Sequence, residues 1–381
     1  MENKSNKTVW WVIGIIVVVG LVWWGMSKQS ASGDTIKIGV IGPFTGDAAV
    51  YGEPFRNVAN LAVGEINGQG GINGKQIQMI YEDGKCTGQD GANAAQKLVN
   101  VDGVQIILGG FCSGETIPAI PIAAQGKVLM FSPSASSPDL TGISPYFFRD
   151  YPSDATEGKV LADAAYNMKR WRSVAIIQEQ TDYATGNYKS FSQEFQSLGG
   201  KIINQSFPTV TTDFRSILTT LKSSKPDALF VDSQTPQAAA RILKQLQELG
   251  WKLPLLVNDA TGGDPQTLKT NAAQLEGTLT AEFGVDPSNP KFQHLINAYK
   301  TQYGSDVPYQ SYMQTVYDSI YLLRDGITKV GYNGAALAAW SRTIKDWQGA
   351  SGAITIEANG DRASGHRLEI IHNGVAEPVQ Q

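Results

Sequence analysis

A chain of 381 residues, 42% hydrophobic and 17% charged, is long enough for about two domains with sizeable cores and too apolar to be disordered. A net charge of −4 with no long basic run argues against a nucleic-acid partner, because phosphate neutralisation needs clustered Lys and Arg. Two cysteines and three histidines stand far apart, without the spacings of a structural zinc site, so neither a metal nor another cofactor is expected.

The first element is the uncharged run "VWWVIGIIVVVGLVWWGM", residues 9–26. As a helix it is roughly 27 Å long, close to the hydrocarbon thickness of a bilayer. Trp10, Trp11, Trp23 and Trp24 sit at its two ends, where indole rings favour the headgroup level, and Lys4 and Lys7 precede it. The run predicts a transmembrane anchor with its N-terminus inside, followed by a linker to residue 33. The alternative is a cleaved secretory signal, whose apolar region is shorter, about 7 to 15 residues, and which ends in small residues like those of "SAS", residues 30–32. On either reading, residues from about 34 onward lie outside the cytoplasm, in the periplasm or at the cell surface.

Strand-like and helix-like segments then alternate: "TIKIGVIGPFTG", a helix over about 51–67, "KQIQMIYEDG", a helix over about 90–101, "VQIIL" and "KVLMFSPSASSP". The pattern restarts with "WRSVAIIQEQTDYATG", "GGKIINQSFP", "PDALFVDSQTP" and "KLPLLVNDATGG", each followed by a helix-favouring stretch such as "PQAAARILKQLQELG". Such alternation means parallel sheets with helices on their faces, so the fold class is α/β with two similar lobes. The tail "GAITIEANGDRASGHRLEIIHNG" reads as a β-hairpin turning at residues 359–361.

The stretch "GGFCSGETIPAIP", residues 109–121, follows the apolar run "VQIIL" and opens a helix near Gly114. Gly110, Cys112 and Gly114 have the spacing of a nucleophile elbow with cysteine in place of serine, which makes a cysteine hydrolase one alternative. Outside the cytoplasm two thiols tend to pair, and Cys86 in "YEDGKCTGQD" is the other cysteine. Pairing of Cys86 with Cys112 is therefore favoured, with two reduced buried cysteines or a thiolate nucleophile as the alternatives. A nucleophile also needs a histidine, and His294, His366 and His372 stand in no recognisable setting.

In an open parallel sheet, ligands bind beyond the carboxyl ends of the strands. Thr45, Ser113 and the run "SPSASSP", residues 132–138, fall there in the first lobe, and Tyr51 starts the first helix. Hydroxyls and helix N-termini without a cationic side chain suit a carboxylate held by neutral donors. Tyr183, Gln234 and Asp259 fall at corresponding strand ends of the second lobe, with Asp259 as a negative group opposite. A carboxylate seat facing an acid is the pattern expected for a zwitterion.

From about residue 35 to its end the chain resembles the type I periplasmic binding proteins for leucine, isoleucine and valine, the substrate-binding components of ABC transporters. The resemblance rests on "GPFTGDAAVYG", "INGQGGINGKQI", the Cys86 and Cys112 pair, "GGFCSGET", "SPSASSPDLT" and "DYATG". It implies two Rossmann-like lobes joined by three hinge crossovers, residues 34–151 with 285–350 and residues 152–284 with 351–381, and a bridge between the two cysteines. It also implies that Ser113 bonds a ligand carboxylate and that Ser134, Ala135 and Ser136 complete the cradle. Tyr51 falls at the pocket mouth, Tyr183 covers the ligand from the second lobe, and Asp259 stands where an acid, commonly glutamate, meets the ammonium. Gln234 falls near an aromatic position of the leucine binders, which implies a more polar pocket. The expected function is capture of a small amino acid by hinge closure and delivery to a permease. A sensory receptor for amides, urea or other small polar solutes is the alternative within binding.

Overall fold

The computed structural model describes residues 35–379, so the apolar run at 9–26 lies outside the described residues. Among the described residues no helix is long and apolar enough to cross a membrane.

The first sheet contains β1 (Ile36–Gly42), β2 (Ile77–Asp83), β3 (Ile106–Leu108), β4 (Leu129–Ser132) and β5 (Phe147–Arg149), all parallel, in the order β2-β1-β3-β4-β5. Both faces are covered, which is why β3 and β4 read as short apolar runs without alternation. Helix Ala49–Gly68 and the later helix Gln310–Val330 share one core with β1, β3 and β4, where Phe55, Phe131 and Phe148 are fully buried. Burial of each such ring stabilises by roughly 1.5 to 3 kcal/mol. Gly109, just past β3, has φ +121°, and a Cβ there would meet the Ile41 carbonyl oxygen at 2.2 Å. Only glycine lets this loop pass so close to β1.

The second sheet has the order β14-β13-β10-β9-β8-β6-β7. Its strands are β6 (Ser173–Glu179), β7 (Lys201–Phe207), β8 (Ala228–Asp232), β9 (Leu255–Val257), β10 (Leu279–Glu282), β13 (Arg367–His372) and β14 (Val375–Pro378). β6 to β10 are parallel, and β13 runs antiparallel to both β10 and β14. Between β10 and β13 the chain returns to the first lobe through helices Pro290–Tyr303 and Gln310–Val330 and the small pair β11 (Trp347–Gly349) and β12 (Gly352–Ile354). It therefore passes between the lobes three times, and the α/β class with two parallel-sheet lobes is as the sequence predicts.

The tail differs from the expected single hairpin. The turn at 359–361 closes one isolated bridge, Ile356 to Arg362, while β12 pairs with β11 and β13 takes the edge of β10. Ion pairs explain the change: Asp361 is bound by Arg149 and Arg362 by Asp150, which hold this turn against the first lobe.

Cys86 and Cys112 are joined in a disulfide, each just beyond a strand of the first sheet, as the sequence favoured. The bridge spans a sequence separation of 26, worth about 3 to 4 kcal/mol on the chain-entropy model. A Cys86→Ser, Cys112→Ser variant is expected to lose stability of that order in urea denaturation, and an unchanged midpoint contradicts the role.

Candidate functional site

Each lobe has one place where the strand order reverses. In the first sheet β1 is followed by β2 on one side and by β3 on the other; in the second, β6 is flanked in the same way by β7 and β8. Loops leaving such neighbouring strands diverge and leave a crevice beyond their carboxyl ends. Tyr51 and Ser113 follow β1 and β3, and Tyr183 and Gln234 follow β6 and β8. Ser134 and Ser136 follow β4, the next strand over.

The fold brings these side chains to one cavity of about 30 Å³, lined by Tyr51, Ser113, Ser134, Ser136, Tyr183 and Gln234 together with Phe111, Cys112, Ala260 and Tyr312. The lobes meet across it: the Tyr51 hydroxyl donates to the Gln234 carbonyl oxygen at 3.1 Å. A wider cleft of about 690 Å³, lined from both lobes by residues such as Asp47, Lys85, Glu179 and Asp182, adjoins it at Gln234.

On the first-lobe side, Ser113 opens helix Ser113–Gln125. Its hydroxyl oxygen accepts the Ser137 N–H at 3.1 Å, which leaves its own proton to donate. Ser134 donates to the Phe111 carbonyl oxygen and Ser136 to Asp154 Oδ2, both at 2.7 Å. Ala135 is buried but does not line the cavity; its carbonyl oxygen accepts from Arg149 at 3.4 Å. The helix start is braced by Glu115, whose carboxylate accepts the N–H groups of Phe111, Cys112 and Cys86 at 2.7, 3.1 and 2.9 Å. Burial pushes the Glu115 carboxyl up to about 7, against the opposing pull of those three N–H groups.

Sequence reasoning missed Arg149, which is fully buried. Its Nε pairs with Asp361 at 2.7 Å, and its other nitrogens reach the Ser137 carbonyl oxygen at 2.9 Å and the Thr141 hydroxyl at 2.8 Å. This fork fixes the loop that presents Ser134 and Ser136. The signal was an arginine inside the apolar segment "YFFRDY", where a cation needs partners.

Asp259 lies one layer behind the cavity wall, fully buried. Tyr151 and Tyr312 each donate a hydroxyl to its Oδ2 at 2.8 Å, and Tyr183 donates to its Oδ1. Glu157 accepts the Asp259 N–H at 2.9 Å. Desolvation first, and then the charge of Asp259, push the carboxyls of Asp154 and Glu157 well above the usual carboxylate range. Tyr151 and Tyr312 were not expected from the sequence.

A family model described as periplasmic binding protein matches residues 35–369. The chain belongs to this family. A curated relative of this binding protein is the leucine-, isoleucine-, valine-, threonine- and alanine-binding protein of Pseudomonas aeruginosa, 26% identical over 88% of this chain and 90% of the relative. Among solved structures, the branched-chain amino acid transporter substrate binding protein LivJ of Streptococcus pneumoniae, in complex with isoleucine, superposes with a TM-score of 0.80 at 26% identity, covering 91% of this chain and 100% of that one. A solute binding protein of an ABC transporter from Rhodopseudomonas palustris, in complex with 3,4-dihydroxybenzoic acid, superposes at 0.79 with 25% identity, covering 92% and 97%. The relatives are binding proteins, and Cys112 of this one is tied to Cys86, so the nucleophile reading has no free thiol to act with.

Proposed function

We propose that this binding protein captures a small amino acid or related zwitterion outside the cytoplasm by closing its lobes, and delivers it to an ABC transporter permease without chemical change. One observation carries the reading. Tyr51, Ser113, Ser134, Ser136, Tyr183 and Gln234, which follow strands of both lobes, line a single cavity at the meeting of the two strand-order reversals. The free Ser113 proton and the start of its helix suit the ligand carboxylate, and Asp259 supplies the counter-charge for the ammonium. The cavity of about 30 Å³ has room for roughly two or three waters, so the lobes part to admit the solute. Closure turns on the three crossings, the third of which we place beyond Ile356, because Ile354 and Ile356 pack in the first-lobe core. A tether at residues 9–26 belongs to the same proposal.

Calorimetry on the full-length chain with alanine, threonine, valine, isoleucine and leucine tests it, with at least one expected to bind. Ser113→Ala removes a hydroxyl bond to a charged group, worth about 1.5 to 3 kcal/mol, or roughly ten- to a hundredfold in affinity. Unchanged affinity removes Ser113 from the site.

A second reading rests on a specific observation: the two oxygens of Asp259 already accept three tyrosine hydroxyls. A ligand with a carboxylate and no ammonium, as in the Rhodopseudomonas palustris neighbour, then fits. Tighter binding of a deaminated acid than of any amino acid selects it.

A further inference from the structure

Behind the cavity the fold gathers four side chains that are distant in sequence. Asp154 and Glu157 lie on the first turn of helix Asp154–Asp163, Asp259 follows β9, and His366 immediately precedes β13. All four are buried, and one ligand atom from each lies within 4.8 Å of the others.

Acidic groups alone do not make a site, but the histidine is independent of them. Its Nδ1 meets the Thr156 hydroxyl oxygen at 2.8 Å, and that hydroxyl donates its own proton to the Ser153 carbonyl oxygen at 2.9 Å. Nδ1 therefore carries the ring hydrogen, and Nε2 presents a lone pair. Nε2 has no hydrogen-bond partner among the described residues, its side chain is 0% exposed, and it stands 4.0 Å from both Asp154 Oδ1 and Asp259 Oδ2. Asp154 Oδ1 and Glu157 Oε2 also lack partners. Lone pairs turned on one another away from water repel, and a cation placed between them reverses the sign of every contact.

We propose that Asp154, Glu157, Asp259 and His366 form a binding site for one divalent transition-metal ion of the zinc class. One imidazole nitrogen with carboxylate oxygens is a borderline donor set, whereas calcium takes six to eight oxygens and magnesium keeps its waters. Thr156 supplies the hydrogen bond that a ligating imidazole makes through its other nitrogen. Bonds of about 2.0 to 2.2 Å draw the four atoms in by roughly 1 Å, a side-chain adjustment.

The ion also settles the charge. Three ionised carboxylates carry −3 and a dication leaves −1, the charge that an ammonium in the adjoining cavity requires. Asp259 can serve both, with Oδ2 toward the histidine and Oδ1 toward Tyr183, which lines the cavity. Tyr151 and Tyr312 pack in the first-lobe core and reach Asp259 from there, so they cover the site when the lobes meet.

The test uses the full-length chain, stripped of metal by a chelator and free of amino acid, titrated with Co²⁺ and then with Zn²⁺. One equivalent of Co²⁺ is expected, with visible absorption bands that Zn²⁺ abolishes. Glu157→Gln, which keeps the side-chain shape, and His366→Ala are each expected to weaken uptake at least tenfold, while Ser113→Ala leaves it unchanged. Circular-dichroism melts restrict the comparison to variants that still fold. No saturable uptake of either ion overturns the proposal, as does unchanged uptake in a folded Glu157→Gln variant. Amino-acid calorimetry on the same stripped protein reads the solute site separately, so failure of one proposal is not mistaken for failure of the other.

Discussion

Asp259→Asn is expected to weaken binding of the best amino acid by about 3 to 5 kcal/mol, two to three orders of magnitude or more in affinity. The substitution keeps the shape and removes the charge. On the proposed reading neutral donors hold the ligand carboxylate opposite, and Asp259 is the counterion, with only the Tyr183 hydroxyl between it and the cavity. An ammonium left in that enclosed space without its counterion bears the full cost of desolvation. Asparagine also disturbs the tyrosines, because its amide nitrogen cannot accept a hydroxyl proton as Oδ1 or Oδ2 does now. A fold effect of that kind lowers affinity for every ligand alike. The charge effect is selective: it penalises the amino acid and spares its deaminated acid. Calorimetry with both ligands separates the two. If the variant binds the amino acid as tightly as the parent does, the ammonium assignment fails and an anionic or neutral ligand takes its place.

The parts of the site legible in the sequence are those set by chain-local signals. Ser113, Tyr183, Gln234 and the serines after β4 each follow an apolar run that ends in turn-forming residues, and that pattern marks strand ends directly. The two-lobe α/β class was legible for the same reason. Tyr312 was hidden because it sits on a helix that returns to the first lobe between β10 and β13 of the second, and nothing local says which face of that helix meets the cleft. Tyr151 was hidden in a segment that reads as apolar packing. The four-residue cluster at Asp154, Glu157, Asp259 and His366 spans three separate chain segments, so no ligand spacing exists to be read, and His366 looked isolated for that reason. The tail departs from a single hairpin because its turn, besides its own bonds such as Asp361 N–H to Asn359 Oδ1, is tied to Arg149 and Asp150 at the end of β5, a contact no local signal shows.

Arg149→Met is expected to destabilise the protein by about 3 to 5 kcal/mol in chemical denaturation, because it leaves Asp361 largely buried without its cation. The geometry makes the guanidinium hard to replace. Nε, Nη1 and Nη2 each serve a different acceptor: Asp361, the Ser137 carbonyl oxygen and the Thr141 hydroxyl. Lysine offers one charge at one point and leaves the other acceptors orphaned, so Arg149→Lys is expected to recover only part of the loss. The Thr141 hydroxyl also donates to Asp361, which makes these residues one network whose deletions do not add. The ion pair ties the end of β5 to the turn at 359–361, and the Ser137 contact ties it to the serine loop, so affinity should fall together with stability. A second change separates charge from shape. Arg149→Met combined with Asp361→Leu removes the stranded carboxylate, and if the penalty is electrostatic the double variant regains much of the stability that the single one loses. If Arg149→Met alone unfolds at the parent's denaturant concentration, the buried pair is not what holds the tail and the serine loop to the first lobe.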